Sequence, residues 1–163
     1  MLQPRVLPKV LEQANTDGVK TTLLMNINGS LLSSAGNEDK QNEKLVGAII
    51  SNIWTSYRKV GEAAFNPNFK QSKVNMNQSQ EYDDEYEGDA RDVEEQDENA
   101  EKLQCMILEL GTRRVAVMGV SKRVVLCLIA DKTVELGMLK AKATWVCDYL
   151  IKPFEMIEDV DDL

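Results

Sequence analysis

The stretch "CLIADKTVELGMLKAKA", from Cys127 to Ala143, holds the residues that come nearest to a chemical motif. An apolar run precedes Gly137 and two lysines, Lys140 and Lys142, which is the order found where a buried strand leads into a phosphate-binding turn. A nucleotide-binding loop needs several glycines so that the backbone can approach the phosphates, and Gly137 stands alone. The stretch by itself therefore does not predict a nucleotide site.

The composition excludes most other kinds of catalytic site. The chain has no histidine, which excludes Ser/His and Cys/His nucleophile pairs and takes away the commonest general base and metal ligand. The three cysteines, Cys105, Cys127 and Cys147, lie far apart in apolar surroundings and lack the close spacing of zinc or redox sites. We expect buried, reduced thiols, no catalytic residue and no cofactor.

The negative charge is concentrated in one segment. Ser79 to Lys102 holds 12 acidic and two basic residues, a net charge of -10, so the rest of a chain of net charge -8 carries +2. This near-neutral remainder does not suggest nucleic-acid binding. From about residue 66 to residue 102 the chain is polar and poor in large aliphatic residues, so burial cannot offset the entropy of ordering it. We predict a flexible insert there.

Part of this insert, "DDEYEGDARDVE", approaches the spacing of a calcium-binding loop. Glutamates are long for the third and fifth positions of such a loop, and no amphipathic helix flanks it, so we expect no metal site. No run approaches the roughly 20 apolar residues of a membrane helix, and the first residues lack the apolar centre of a signal peptide. The sequence therefore predicts a cytosolic chain without direct membrane insertion.

Apolar periodicity predicts the order helix, two strands, helix, three strands, helix. Asn28-Gly29 is a strong hairpin signal between the first two strands. The last strand is apolar at every position from Val124 to Ala130, so it should lie in the centre of a sheet covered on both faces. The predicted bounds are Pro4 to Ala14, Lys20 to Ile27, Ser30 to Ala35, Gln41 to Gly61, "LQCMILE", "RRVAVMG", "RVVLCLIA" and Thr133 to Ile151, with Pro153 and an acidic tail at 155–163 behind.

Two helix faces matter for function. The apolar residues of the second helix, from Leu45 to Val60, spread over about 180°, which predicts a second surface beyond the sheet; one deep sheet taking the whole arc is the alternative. In the last helix one side is apolar and is predicted to pack on the sheet. Lys140 and Lys142 are most simply solvated, and docking a partner is their alternative role. The residues of that apolar side are Val134, Met138, Ala141, Trp145 and Tyr149.

Several stretches resemble the roadblock/LC7 domain family, and within it the Ragulator subunits. They are "QANTDGVKTTLLMNINGSLL", "AIISNIWTSY", "VVLCLIADKTVELGMLKAKA" and "MLQPRVL", which cover nearly all of the chain except the insert and the tail. The resemblance implies one α/β sandwich over 1–163, a five-stranded antiparallel sheet with helices on both faces, interrupted by the insert. It places Gly137 at a strand-to-helix junction, where this glycine is expected to permit close packing and no phosphate need be invoked.

The resemblance also implies a non-enzymatic adaptor. In the family the second helix and the third strand pair with a second roadblock subunit, giving a heterodimer that a lipidated subunit holds on late endosomes and lysosomes. That assembly docks Rag GTPases and serves signalling to the target-of-rapamycin complex and MAP kinase scaffolding; a dynein-associated roadblock light chain is the alternative. The residues expected at the dimer interface are Val46, Ile49, Ile50, Ile53, Trp54, Tyr57, Leu103, Cys105 and Ile107.

Overall fold

The computed structural model of the chain describes residues 5–65 and 102–161, with side-chain surroundings as far as residue 156. The predicted flexible insert, the calcium-loop resemblance within it and most of the acidic tail lie outside these described surroundings. The predicted order of elements is confirmed. The elements are α1 (Leu7–Gln13), β1 (Val19–Asn26), β2 (Leu31–Gly36), α2 (Lys40–Phe65), β3 (Cys105–Glu109), β4 (Arg113–Gly119), β5 (Val124–Asp131) and α3 (Leu136–Asp161).

The five strands form one antiparallel sheet in the order β2-β1-β5-β4-β3. The prediction that β5 lies at the centre is confirmed, because it pairs with β1 on one side and with β4 on the other. The register between β3 and β4 places Cys105 opposite Met118 and Glu109 opposite Arg114. Strands β2 and β3 are therefore the two edges of the sheet.

Each face of the sheet carries its own hydrophobic core. Helices α1 and α3 cover one face, where Leu126 and Leu128 of β5 pack against Leu139 and Leu150 of α3. Helix α2 covers part of the other face, where Val125 and Cys127 belong to the same cluster as residues of α2. Alternate residues of β5 thus enter opposite cores, which explains why this strand has no polar position between Val124 and Ala130.

Both long helices continue past their predicted ends. Helix α2 passes Gly61 and ends at Phe65, and α3 continues through Pro153 to Asp161. Proline removes only one amide from the helical hydrogen-bond series, here the partner of the Tyr149 carbonyl. Packing of Phe154 against the core beneath α1 and α3 holds the helix beyond that point. A tertiary contact therefore overrides the stop signal at Pro153.

The predicted sheet-packing face of α3 is wrong. Of that set only Val134, which precedes the helix, is buried, whereas Met138, Ala141, Trp145 and Tyr149 are exposed. The sheet contacts the opposite side of the helix, whose buried residues are Leu139, Ala143, Val146, Cys147 and Leu150. Both sides of α3 are apolar, so periodicity alone could not decide between them.

Two expectations about single residues in this region are also wrong. A Cβ on Gly137 would meet no atom within 4 Å, so this glycine permits no close packing. Lys142 is not simply solvated, since its ammonium donates to the carbonyl oxygen of Thr16 at 2.7 Å and to the Asp17 carboxylate at 3.0 Å. Lys140, by contrast, is exposed.

Candidate partner-binding surface

The broad apolar arc of α2 divides into two halves. One half, which includes Ile50 and Trp54, is buried against the sheet. The other half faces outward, and its four large side chains are between 50% and 62% exposed in the single chain. These four are Leu45, Ile49, Tyr57 and Val60, which we call the α2 outer stripe. A single sheet therefore does not take the whole arc, and the alternative of one deep sheet is wrong for this chain.

The outer stripe is held in place by contacts near the start and in the middle of α2. Near the start of the helix, the buried carboxylate of Glu43 accepts a hydrogen bond from Ser34 of β2 at 2.7 Å and lies 3.6 Å from the Lys40 ammonium. Further along, the ring of Trp54 lies over Gly119, where an added Cβ would come within 3.2 Å of it. The Trp54 indole thus fills the space that a side chain on Gly119 would occupy, and this contact fixes the rotation of α2 about its axis.

Helix α2 contacts β1, β2 and β5. On the same face of the sheet, Met106 and Leu108 of the edge strand β3 are only half-buried. The α2 outer stripe and these two side chains thus belong to the same face of the sheet, and the outer edge of β3 is unpaired within the described sheet. We call this combination the α2–β3 surface.

The nine residues expected at a dimer interface fall into three groups. Ile49 and Tyr57 are exposed, with Val46 and Ile53 half-buried beside them. Ile50 and Trp54 belong to the core of the chain itself. Of the three residues in or near β3, Leu103 packs with the core between α2 and the sheet. The pairing of β3 with β4 directs Cys105 and Ile107 toward the other face of the sheet, which α3 covers.

The nine interface residues expected from the sequence did not include Met106 and Leu108 of β3. They also did not include Leu45 and Val60 of α2. Strand alternation was the sequence signal that could have identified them, because residues two apart on β3 share a face of the sheet. In the structure Met106 pairs with Val117, which lies in the core between α2 and the sheet. The register of β3 against β4 supplied the missing information. Without it, Ile107 and Leu108 were equally good candidates.

The thiols are not suited to nucleophilic chemistry. Burial raises the pKa of the Cys127 thiol to about 12 and that of Cys147 to about 11, so both stay protonated at neutral pH. Burial also raises the pKa of Cys105. Cys147 donates to the carbonyl oxygen of Gly119 at 3.2 Å, which is a structural contact between α3 and β4.

The described residues offer little for a small ligand. Among residues 5–65 and 102–156, no group of three or more carboxylates and thiols is placed to hold a metal ion. A cavity of about 290 Å³ at one end of the sheet is lined partly by charged residues that pair with each other, Lys20 with Asp131 at 3.4 Å and Arg113 with Glu38 at 3.2 Å. None of the helices in this part of the chain is both long enough and apolar enough to cross a membrane.

Comparison with known proteins shows which family this chain is similar to. Residues 9–81 match the Roadblock/LC7 domain. A curated relative, the Ragulator complex protein LAMTOR2 homolog of Caenorhabditis elegans, is 27% identical over 154 residues, which cover 94% of this chain and 93% of that protein. The family resemblance seen in the sequence is thereby confirmed.

Solved structures share the fold. MglB of Myxococcus xanthus superposes with a TM-score of 0.67 at 17% identity, covering 96% of this chain and 94% of its own. A Roadblock/LC7 domain from Streptomyces avermitilis gives a TM-score of 0.65 at 12% identity, covering 91% of this chain and 97% of its own. At such low identity the likeness concerns the fold alone.

Proposed function

We propose that this chain, which carries a roadblock/LC7 domain, is a non-enzymatic adaptor subunit that pairs with a second roadblock-domain subunit through the α2–β3 surface. One observation carries the proposal: four large apolar side chains on α2 remain at least half exposed, on the face of the sheet where the edge strand β3 also carries two half-buried apolar side chains. Contiguous exposed apolar side chains are typical of protein interfaces. An edge strand also offers backbone groups that another chain can pair with.

The geometry suggests how the partner would sit. A strand added to the free edge of β3 would extend the sheet, and a helix above that strand would cover Met106 and Leu108 as α2 covers its own half of the sheet. The same helix would pack along the α2 outer stripe. Ladder hydrogen bonds and buried apolar area would then act together, as in other interfaces formed by strand addition.

We further propose a Ragulator-like assembly as the setting of this pair. The sequence resemblance and the name of the Caenorhabditis elegans relative support it. In this proposal a lipidated subunit anchors the complex to the cytoplasmic face of late endosomes and lysosomes, where it docks Rag GTPases and supports target-of-rapamycin and MAP kinase signalling. A dynein-associated light chain would use the same surface, and the relative's name favours the first reading.

The test is co-purification of the full chain with a co-expressed roadblock subunit from the same organism. Ile49→Asp places a charge at the centre of the outer stripe, and we expect it to abolish co-purification. Because Ile49 is half exposed, the variant should keep the far-ultraviolet circular dichroism spectrum and melting temperature of the wild type.

Lys44→Asp is the matched control, since it also adds an acid to an exposed position of α2 but lies about 140° around the helix from Ile49. It should leave the pair intact. The proposal fails if Ile49→Asp retains the partner at wild-type level, or if both variants lose it equally. Mass spectrometry of native pull-downs from cells then separates a Ragulator-like assembly from dynein components.

A further inference from the structure

The turn between β1 and β2 carries a reactive pair of residues that the proposed function does not use. Asn28 is exposed, and it is the one asparagine of the chain that a glycine follows. The backbone nitrogen of the following residue can attack an asparagine carboxamide, and glycine hinders this attack least because it has no side chain. The asparagines at positions 15, 26, 37, 42 and 52 precede threonine, isoleucine or glutamate instead.

The hydrogen bonds of the turn hold the two reacting groups in a defined loop. The Asn26 amide donates to the Ser30 carbonyl oxygen at 2.8 Å and closes the hairpin, and the Gly29 amide donates to the Asn26 carbonyl oxygen at 2.9 Å. Gly29 adopts φ +89, as expected for a three-residue hairpin loop that ends in a left-handed glycine. The Ser30 amide donates to Oδ1 of the Asn28 side chain at 3.0 Å.

Two of these hydrogen bonds act in opposite directions on an attack by the Gly29 nitrogen. When that nitrogen bonds to Cγ of Asn28, negative charge develops on Oδ1, and the Ser30 amide is already in place to stabilise it. The bond from the Gly29 amide to Asn26 must open first, because it engages the group that reacts. Exposed hairpin tips open locally at a much smaller cost than global unfolding, so the folded chain can reach the reactive arrangement.

We propose that Asn28 is a deamidation site, at which the Gly29 nitrogen attacks Cγ of Asn28 whenever the hairpin tip opens. The bond from the Gly29 nitrogen to Cγ forms, the Cγ–Nδ2 bond breaks, and ammonia leaves with the proton of the Gly29 amide. Water then opens the cyclic imide at either carbonyl carbon. The products are aspartate, with the original main chain, and isoaspartate, in which the main chain runs through the side-chain carbons.

Isoaspartate lengthens the main chain by one carbon atom at a place where the turn is closely packed. Gly29 lies against α2, since an added Cβ there would come 3.0 Å from Cα of Ala48 and 3.0 Å from Oγ of the buried Ser51. The lengthened turn must therefore move away from α2. We expect isoaspartate to weaken the packing of α2, whereas the aspartate product should not.

Asp17 and Gly18 provide an internal comparison, because they form the same kind of pair with a carboxylate in place of the carboxamide. The Lys142 ammonium donates to this carboxylate at 3.0 Å and favours its ionised form. A carboxylate must be protonated before its oxygen can leave as water. Asp17 should therefore form little isoaspartate near neutral pH, although a glycine follows it.

The first experiment incubates the full chain near pH 8 and maps its peptides by mass spectrometry, with fragmentation that separates aspartate from isoaspartate. A synthetic peptide with the sequence around Asn28 gives the rate without the hairpin. In the folded chain we expect Asn28 to convert before every other asparagine, more slowly than in the peptide, and Asp17 to form little isoaspartate. An intact Asn28 in the folded chain after the peptide has converted fully would overturn the proposal. So would equal isoaspartate at Asp17.

The second experiment compares melting temperatures before and after the incubation. The aged wild type, enriched in isoaspartate, should melt roughly 2–6 °C lower than the fresh protein. Asn28→Ser removes the carboxamide but keeps an oxygen that can accept from the Ser30 amide, so it should not change on ageing. Fresh Asn28→Asp carries the other product and should melt like the fresh wild type. An isoaspartate-containing chain with an unchanged melting temperature would overturn the inferred effect on α2.

Discussion

Two glycines near the start of α3 have opposite surroundings. Gly18 adopts φ +94, and a Cβ there would lie 2.4 Å from a methyl carbon of Val134, so the close packing expected at Gly137 occurs at Gly18 instead. Only glycine adopts this backbone conformation without strain. The turn that contains Gly18 therefore depends on a missing side chain, whereas the helix that contains Gly137 does not.

Substituting these glycines by alanine should change stability in opposite directions. Gly18→Ala should lower the free energy of unfolding by about 1–3 kcal/mol, because it combines backbone strain with an overlap against Val134. Gly137→Ala should raise it by about 0.4–1 kcal/mol, since alanine restricts the unfolded chain and favours the helix. Urea denaturation of the two variants measures both; equal effects would contradict the structure.

The Lys142–Asp17 contact should make stability depend on pH in the acidic range. The hydrogen bond and charge of Lys142 lower the pKa of the Asp17 carboxyl from its ordinary value. The folded state thus holds the ionised form more strongly than the unfolded state does. The resulting stabilisation is present above the unfolded pKa, near 3.9, and is lost as pH falls through the lower folded value.

The test compares urea midpoints of the wild type and Asp17→Asn between pH 2.5 and 6. The wild type should be the more stable protein at pH 6, and the two midpoints should converge as pH falls below about 4. Lys142→Gln is the second variant and should reproduce the weaker pH dependence. A constant difference across the whole range would mean that the ion pair does not contribute.

At the scale of elements, α2 places residues of the same type in different surroundings. Ile50 is buried against the sheet and Ile49, its neighbour in sequence, is half exposed. Ile50→Ala should cost about 2–4 kcal/mol because it opens a cavity in the core. Ile49→Ala should change the stability of the isolated chain by less than about 0.5 kcal/mol.

Denaturation of the chain with and without its partner distinguishes the two positions further. If Ile49 contributes to the interface, Ile49→Ala should reduce the stabilisation that the partner provides, although it barely affects the isolated chain. Equal losses for Ile49→Ala and Ile50→Ala in the isolated chain would contradict the division of α2 into an inner and an outer half.

The strands and the order of the helices could be predicted from sequence, whereas the residues of each helix that pack on the sheet could not. Alternation and the Asn28-Gly29 turn located β1 and β2 to within a residue, and the apolar run of β5 placed it centrally. Helix α3 has an apolar stripe on each side, and the spacing of apolar residues favoured the wrong one. The arc of α2 was predicted correctly as too wide for one sheet, but only the fold shows that Trp54 belongs to the inner half.

At the scale of the whole molecule, exposed apolar side chains lie on opposite faces of one sheet. Leu45, Ile49, Tyr57 and Val60 belong to α2, and Met138, Trp145 and Tyr149 belong to α3. Each set lies on a 26-residue helix whose other side packs in the core. Because the two cores are separated by the sheet, a substitution in one set should not perturb the other directly.

The acidic segment joins α2 to β3, so it enters beside the α2–β3 surface. We propose that it interrupts a single domain without contributing to its stability, as its composition predicts. Deleting 79–100 shortens a connection whose ends are already held by the sheet and α2. Since closure entropy changes by only roughly 0.6 kcal/mol per halving of a loop, the melting temperature should stay nearly unchanged or rise slightly.

Partner binding should also survive the deletion of 79–100, because the residues proposed to bind lie on α2 and β3. Calorimetry with millimolar calcium is the complementary measurement, and we expect no shift in the melting temperature of either protein. A calcium-dependent increase that the deletion removes would show that the acidic run folds around the cation. Loss of the roadblock partner on deletion would show instead that the segment is part of the interface. If the segment only connects α2 to β3, shortening it should leave the edge of β3 as accessible as before.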